Sequence, residues 1–291
     1  MKKWGEVALG IVTSIGGFLE VGSIATSAQG GAEFGYQLAW VLLLGTLSLA
    51  ILMEMTGRLA AVSKRSYGDL LRERFGYRFF LLPFIAVFVV SLLVLASEIG
   101  GVSIAMQLAT GIEFRWWAIP TALIGWLLLW RGSFSIVEQG TALLGLVALA
   151  FGVGALVLHP SWPTLGRALL PSLPSHDHAR YWYLAVSMLG ASISPYLYLF
   201  YSAGAIEDEW TIDYLIVNRI TAGIGNVFGG GLAIAALVLA PRQIQVDAYE
   251  QIALLLATPL GRTGFVLFVM TLFITCFGAT LEIVLAMAYI L

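Results

Sequence analysis

The chain has 291 residues, of which 59% are apolar and only 11% charged, with a mean hydropathy of +0.91. A soluble domain carries roughly a quarter of its residues as Asp, Glu, Lys and Arg, so this sequence cannot clothe a water-facing surface, and intrinsic disorder is excluded on the same ground. A net charge of −2 leaves no electrostatic footprint for nucleic acid. The single cysteine, Cys276, rules out a disulfide framework or a cysteine-built zinc site and reads as a small packed hydrophobe. What remains is an all-α, multi-pass protein of the lipid bilayer.

A spanning helix needs about 20 apolar residues, and the spans follow in chain order. Met1-Lys2-Lys3 opens onto an apolar run from Val7 to Leu19, then Glu20, then a second run from Val21 to Ala32. The stretch outlasts any signal-peptide core and contains an acid. Neither half crosses alone, and together they do. Further spans are expected over Tyr36–Met53, Phe79–Ser97, Trp116–Trp130, Gln139–Leu158, Tyr181–Ile206, Ile220–Pro241 and Thr263–Leu281. That makes about eight. Alternation puts Lys2, Lys3, Arg58, Lys64, Arg65, Arg72, Arg74, Arg78, Arg131 and Arg219 on one side, with Arg115, Arg167, Arg180, Arg242 and Arg262 on the other. Cytoplasmic loops hold the basic excess, so a cytoplasmic N-terminus in a plasma (inner) membrane is expected. The segment 159–180 becomes an external loop, and its His176-Asp177-His178 reads as solvated rather than metal-binding.

Two spans look broken. The first carries Gly16-Gly17-Phe18-Leu19-Glu20-Val21-Gly22-Ser23. Glycine costs about 1 kcal/mol in a helix and a carboxylate at the bilayer centre at least ~2.5 kcal/mol, so Gly17 and Gly22 around Glu20 imply an unwound stretch lining a cavity. The sixth repeats the device with Gly190-Ala191-Ser192-Ile193-Ser194-Pro195-Tyr196, where Pro195 lacks the N–H that would close on the carbonyl of Ala191. Breaks five helices apart point to an inverted-repeat transporter of the LeuT type, with its site between the breaks. A first repeat over 1–158 and a partial second over 181–291 follow. The plainer alternative is a proline kink and a paired glutamate in an ordinary bundle. One carboxylate among hydroxyl and carbonyl oxygens suits a hard divalent cation, Mg²⁺, Ca²⁺ or Mn²⁺.

The two interrupted segments resemble the natural-resistance-associated macrophage protein (NRAMP) family of divalent-metal transporters. The family's Asp-Pro-Gly-Asn falls on Glu20, Val21, Gly22 and Ser23, and the likeness runs on through Ala25-Thr26, Gln29, Gly31-Ala32 and Phe34-Gly35-Tyr36 to Trp40 and Arg58. The family's Met-Pro-His falls on Ser194, Pro195 and Tyr196, and its carbonyl ligand on Ala191. The resemblance implies a transported divalent metal cation, no cofactor and no enzymatic activity. It makes Glu20, Ser23, Ala191 and Ser194 the metal ligands, with Tyr196 behind them. Three ligand positions differ from the family pattern, and Ser194 in place of methionine implies loss of discrimination against alkaline-earth ions. Glu98 matches a family acid on a proton route and is a candidate relay, whereas the next two acids are replaced by Ala105 and Leu108. Beside the family's ten or more core helices the second repeat here lacks its last two, which implies either a fragment of a longer protein or assembly with another chain to close the site.

Among the other acids, Glu54 stands four residues before Arg58, the favourable order for a helical ion pair. Glu138 and Glu207-Asp208-Glu209 read as solvated helix ends, Glu282 has no partner legible in sequence, and the tyrosines at 196, 198 and 201 read as packing. Two other functions compete with metal transport: an amino-acid or organic-cation carrier of the same fold, and a non-transporting scaffold or metal sensor. An acid at position 20 repels a substrate carboxylate, which weighs against the first, and flux across a sealed membrane separates the second.

Overall fold

The structure, a computed structural model, describes residues 19–132, 140, 145–240 and 249–290. The first half of the first span, with Gly16 and Gly17, lies outside these residues, as does Glu138. Every regular element among the described residues is helical. Helix α1 (Val21–Phe34) follows Glu20, whose extended backbone (φ −90°, ψ 168°) marks its start. Helix α2 (Ala39–Ser63) stops where Lys64 turns left-handed. The short α3 (Tyr67–Phe75) is capped by Ser66, whose hydroxyl accepts from the Asp69 N–H. A glycine at positive φ, Gly76, then hands over to the 34-residue α4 (Tyr77–Thr110). Helix α5 (Arg115–Arg131) returns alongside it.

After a short 3-10 turn come α6 (Leu149–Val157) and α7 (Trp162–Ala168), which fold back on each other by 118°. The sixth span is split into α8 (His178–Ser192) and α9 (Pro195–Glu207). The seventh runs through α10 (Leu215–Ile220), a π-helical turn at Thr221–Gly225 and α11 (Asn226–Leu239). A single turn, α12 (Tyr249–Ile252), precedes α13 (Leu254–Ile290), which bends at Gly261.

By length and apolarity, five segments can cross a membrane (Ala39–Ser63, Tyr77–Thr110, His178–Glu207, Ile212–Leu239 and Leu254–Ile290), and the bent pair can make a sixth. The chain is a multi-pass helical membrane protein. The helices outrun the charge-free stretches because a charged residue does not end a helix: α4 carries Glu98 through its middle and ends only at Gly111. Segment 159–180 contains α7, and residues 175–179 near its far end are exposed, as expected of a solvated stretch, while also contacting the bundle. His176 stacks on Phe34 at 4.7 Å, and Asp177 caps α8 through the Arg180 N–H.

Helices α1, α2, α8, α9, α11 and α13 form the interior, with α4 laid along α13 and α5 outside it. In lipid, helix association rests on close packing rather than on water exclusion, and small residues make the closest approaches. A Cβ on Gly31 would strike the Leu237 carbonyl of α11, and one on Gly45 would stand 2.5 Å from the Ser192 Cβ.

At one end of the bundle the tip of α1 is clasped to the start of α8. The Arg180 guanidinium donates twice to Glu33, from Nε to Oε2 at 2.9 Å and from Nη2 to Oε1 at 2.7 Å. Trp40 Nε1 donates to the Tyr181 hydroxyl, which itself donates to the Ser172 carbonyl, both at 2.9 Å. At the opposite, basic-rich end, Lys64 donates to the Trp210 carbonyl, the Tyr67 N–H donates to Ser202 Oγ, and Tyr289 donates to Glu207 at 2.5 Å.

Packing and charge at these contacts differ in weight. The Glu33–Arg180 pair is about one-third exposed, so Arg180→Gln is expected to cost at most about 1 kcal/mol. Gly31→Leu presses a side chain into backbone, and overpacking of that kind costs about 1–3 kcal/mol or more. Thermal scans in one detergent should rank Gly31→Leu well below Arg180→Gln; the reverse order would refute this account of the packing.

Candidate functional site

The site grows from one carboxylate. Glu20 is only 3% exposed and occupies the residue before α1, so its extended backbone aims the side chain across the start of that helix. Its carbonyl accepts from the Ile24 N–H at 3.1 Å and from the Ser23 hydroxyl at 2.9 Å. Ser23 is thus folded back onto the first turn, with its hydroxyl proton given to backbone.

The second break supplies the other wall. Pro195 opens α9 and disfavours helical geometry in the residue before it, and Ser194 accordingly takes φ −67°, ψ 124°. From that position Ser194 Oγ donates to Glu20 Oε1 at 2.8 Å, and two residues on, the Tyr196 hydroxyl donates to Glu20 Oε2 at 3.0 Å. Each hydroxyl spends its proton on the carboxylate, and its oxygen keeps acceptor capacity. The carboxylate has about four lone-pair positions, of which these two donors take two among the described residues. Helices α1 and α9 both begin at this point, and their N-terminal dipole ends favour the negative charge.

Behind it stands Glu98 of α4, 1% exposed. Its Oε2 accepts from the Val21 N–H at 3.5 Å, and its carboxylate also holds a hydrogen bond with the Cys276 thiol of α13. Glu20 and Glu98 act on one another electrostatically, and the Tyr196 hydroxyl lies in the field of Glu20, Glu282 and Glu98. Among the described residues, no Lys, Arg or His forms an ion pair with Glu20 or Glu98, because the described ion pairs all lie elsewhere.

The structure brings together Glu20, Ser194, Tyr196 and Glu98, and it narrows the breaks. Gly22 and Gly190, expected to unwind the chain, sit in regular helix. A glycine lowers helix stability but keeps its N–H, whereas Pro195 removes one; in the sixth span the unwinding is therefore confined to Ile193 and Ser194. A Cβ on Gly22 would lie 3.8 Å from that of Ala191, so the two half-helices touch at this point. Ala191 stays in the last turn of α8, where the residue four positions on is Pro195 and has no N–H to offer its carbonyl. Gly17 falls outside the described residues. No group of three or more His, Cys, Asp or Glu side chains placed to hold a metal occurs among the described residues, and His176 and Asp177 are engaged in stacking and capping.

Cys276, read as a space-filler, is a hydrogen-bond partner of Glu98. Tyr196, expected behind the ligands, is a direct donor to the carboxylate. Neither relation has a signature at fixed spacing, since 178 positions separate Glu98 from Cys276 and 176 separate Glu20 from Tyr196. The expected Glu54–Arg58 pair is present at 3.2 Å. It adjoins an interhelical chain in which Tyr201 donates to Asn218 Oδ1 and Asn218 Nδ2 to the Glu54 carbonyl, both at 2.9 Å.

This arrangement can hold a compact cation between the breaks through oxygen donors alone. Residues 10–291 match the family model described as natural resistance-associated macrophage protein-like. The divalent metal cation transporter MntH of Deinococcus radiodurans is 27% identical over 90% of this chain and 63% of its own length. MntH of Aeromonas hydrophila is 25% identical over 81% of this chain and 59% of its own. The chain thus spans about six-tenths of these curated relatives. A crystal structure of the Eremococcus coleocola manganese transporter, in complex with an aromatic bis-isothiourea substituted compound, superposes with a TM-score of 0.81. It covers 99% of this chain and 65% of that one at 18% identity, a likeness of fold. The fold is that LeuT-type helical transporter fold, and with its sequence matched almost end to end, the chain belongs to the natural resistance-associated macrophage protein-like family.

Proposed function

We propose that the chain carries a divalent metal cation, Mn²⁺ or Mg²⁺ before others, across the membrane by alternating access. The observation that carries this reading is the Glu20 carboxylate: buried where two half-helices begin, held by the hydroxyls of Ser194 and Tyr196, and neutralised by no protein cation among the described residues. A mobile cation supplies the missing positive charge. The curated relatives bear the name divalent metal cation transporter, and the superposed structure is of a manganese transporter, which supports the same substrate class.

In this reading Glu20 is the charged ligand. Ser23 and Ser194 bind the ion directly or hold its retained water, and Ala191 offers the carbonyl that Pro195 leaves without a helical donor. Oxygen donors of this kind suit hard divalent ions, and a single close carboxylate leaves the ion half-neutralised and able to depart. Tyr196 steadies the carboxylate when the site is empty of cation. Glu98 is the relay candidate, but Ala105 and Leu108 along α4 carry no proton, so transport is read as uncoupled. The N-terminus is placed in the cytoplasm, in the plasma (inner) membrane, with repeats over 1–158 and 181–291. The Glu33–Arg180 clasp then closes the external side.

Three outcomes follow for the full natural chain in proteoliposomes. Glu20→Gln is expected to lower Mn²⁺ uptake at least about tenfold, the equivalent of losing one charge-assisted ligand of ~1.5–3 kcal/mol; unchanged uptake would remove Glu20 from the site. Ser194→Met should make Mg²⁺ a poorer competitor of Mn²⁺ by about tenfold, since a thioether favours softer ions, and equal competition before and after would end the role given to Ser194. Lumenal pH recorded during Mn²⁺ uptake should stay level, and acidification would show a proton route that this reading lacks.

A further inference from the structure

At the basic-rich end, the junction of α3 and α4 carries chemistry that ion binding does not use. Residues 74–79 read Arg74-Phe75-Gly76-Tyr77-Arg78-Phe79, and all six are exposed. Phe75, Tyr77 and Phe79 show 56%, 65% and 57% of their surfaces. The surrounding charges are matched in pairs: Arg72 with Asp69 at 2.6 Å, Arg65 with Glu73, and Arg58 with Glu54. Arg74 and Arg78 pair with no described acid. Two unmatched guanidiniums therefore sit within one short loop of exposed rings.

The backbone holds these groups together. Gly76 at φ 79° turns the chain sharply between the two helices, and across that turn the Phe75 and Phe79 rings lie 5.1 Å apart. The first turn of α4 has no side-chain cap and no acid, so nothing of opposite sign shields Arg78 from its own helix. The position relative to lipid follows from packing. Only 11% of the most apolar window of α4 is buried, against 44–67% in the other single-helix spans, so the helix stands at the lipid boundary and its first turn at the headgroup layer. Aromatic rings settle in that layer, and guanidiniums bind phosphate oxygens in bidentate fashion.

We infer that Arg74 and Arg78 form a binding site for the headgroup of an anionic phospholipid, seated among the rings of Phe75, Tyr77 and Phe79. Two unmatched positive charges select an anionic headgroup over a zwitterionic one, whose own cation would meet them. The site is separate from Glu20 and does not depend on which ion is carried.

The test uses the purified full chain in nanodiscs of phosphatidylcholine with graded phosphatidylglycerol, with bound lipid counted by native mass spectrometry. Each basic residue at an anionic surface contributes about 1 kcal/mol, so Arg74→Gln with Arg78→Gln should reduce the preference for phosphatidylglycerol about 30-fold. Each single substitution should reduce it about fivefold by the same figure, and these keep the inference testable if the double variant does not fold. Arg115→Gln, which removes an ion-paired arginine at the far end of α5's hairpin with α4, should leave the preference unchanged. An undiminished preference in the Arg74/Arg78 variants, or an equal loss in Arg115→Gln, would overturn the inference. Displacement of the bound lipid by millimolar inorganic phosphate would overturn the lipid assignment and leave a free-phosphate site.

Discussion

The constraint on which the rest depends is a carboxylate held out of water inside an apolar bundle. In a medium where an unmatched charge is costly, Glu20 persists only because two helices are interrupted beside it. An unbroken first span would give its N–H groups to its own carbonyls. The start of α1 and the start of α9 instead direct their dipole ends to one point, and Ser194 and Tyr196, both on the second break, bring hydroxyls to each carboxylate oxygen. The interruption is therefore not a defect tolerated beside Glu20 but the means by which a buried carboxylate is given its hydrogen-bond donors.

That junction has to be clamped by helices that approach closely, and the small residues serve this. Gly22 meets Ala191 across the gap between half-helices, Gly45 admits Ser192, and Gly31 admits the Leu237 backbone. Directional contacts add register at both ends: Glu33 with Arg180 at one, and the Tyr201–Asn218–Glu54 chain toward the other. Helix α1 packs on α8 and α11, while the two halves of the sixth span, α8 and α9, both pack on α2, and α9 also on α13.

Much of this was legible in the residues. Hydropathy runs located the second, third, sixth, seventh and eighth spans, since a bilayer leaves few alternatives to a long apolar helix. The acid at position 20 and the proline at 195 marked the breaks because each conflicts with a continuous helix. The extent of the breaks was overestimated, because Gly22 and Gly190 were weighed by their intrinsic propensity, while tertiary packing kept both helical. Helix ends were misjudged for a related reason: a charge-free run stops at the first charge, but the hydrogen-bond ladder of α4 passes through Glu98 without pause. The Cys276–Glu98 bond and the Glu33–Arg180 clasp join residues far apart in sequence, and no local pattern announces such a meeting.

The π-helical turn at Thr221–Gly225 has a consequence for how this chain can vary. The turn accommodates an extra residue in an otherwise α-helical span, and Asn226 closes it by donating to the Ala222 carbonyl at 2.7 Å while reaching Met53 Sδ at 3.1 Å. The wide turn takes up one residue more than an α-helical turn, so a length change of one residue is absorbed here and is not passed along α11. Removing that residue would close the turn to α-helical pitch and leave Gly230, which accepts the close approach of Thr46, still facing α2. The same deletion in a regular stretch of the span would turn everything beyond it by about 100°. Length can therefore change at this one turn while the two faces of the seventh helix stay where they are.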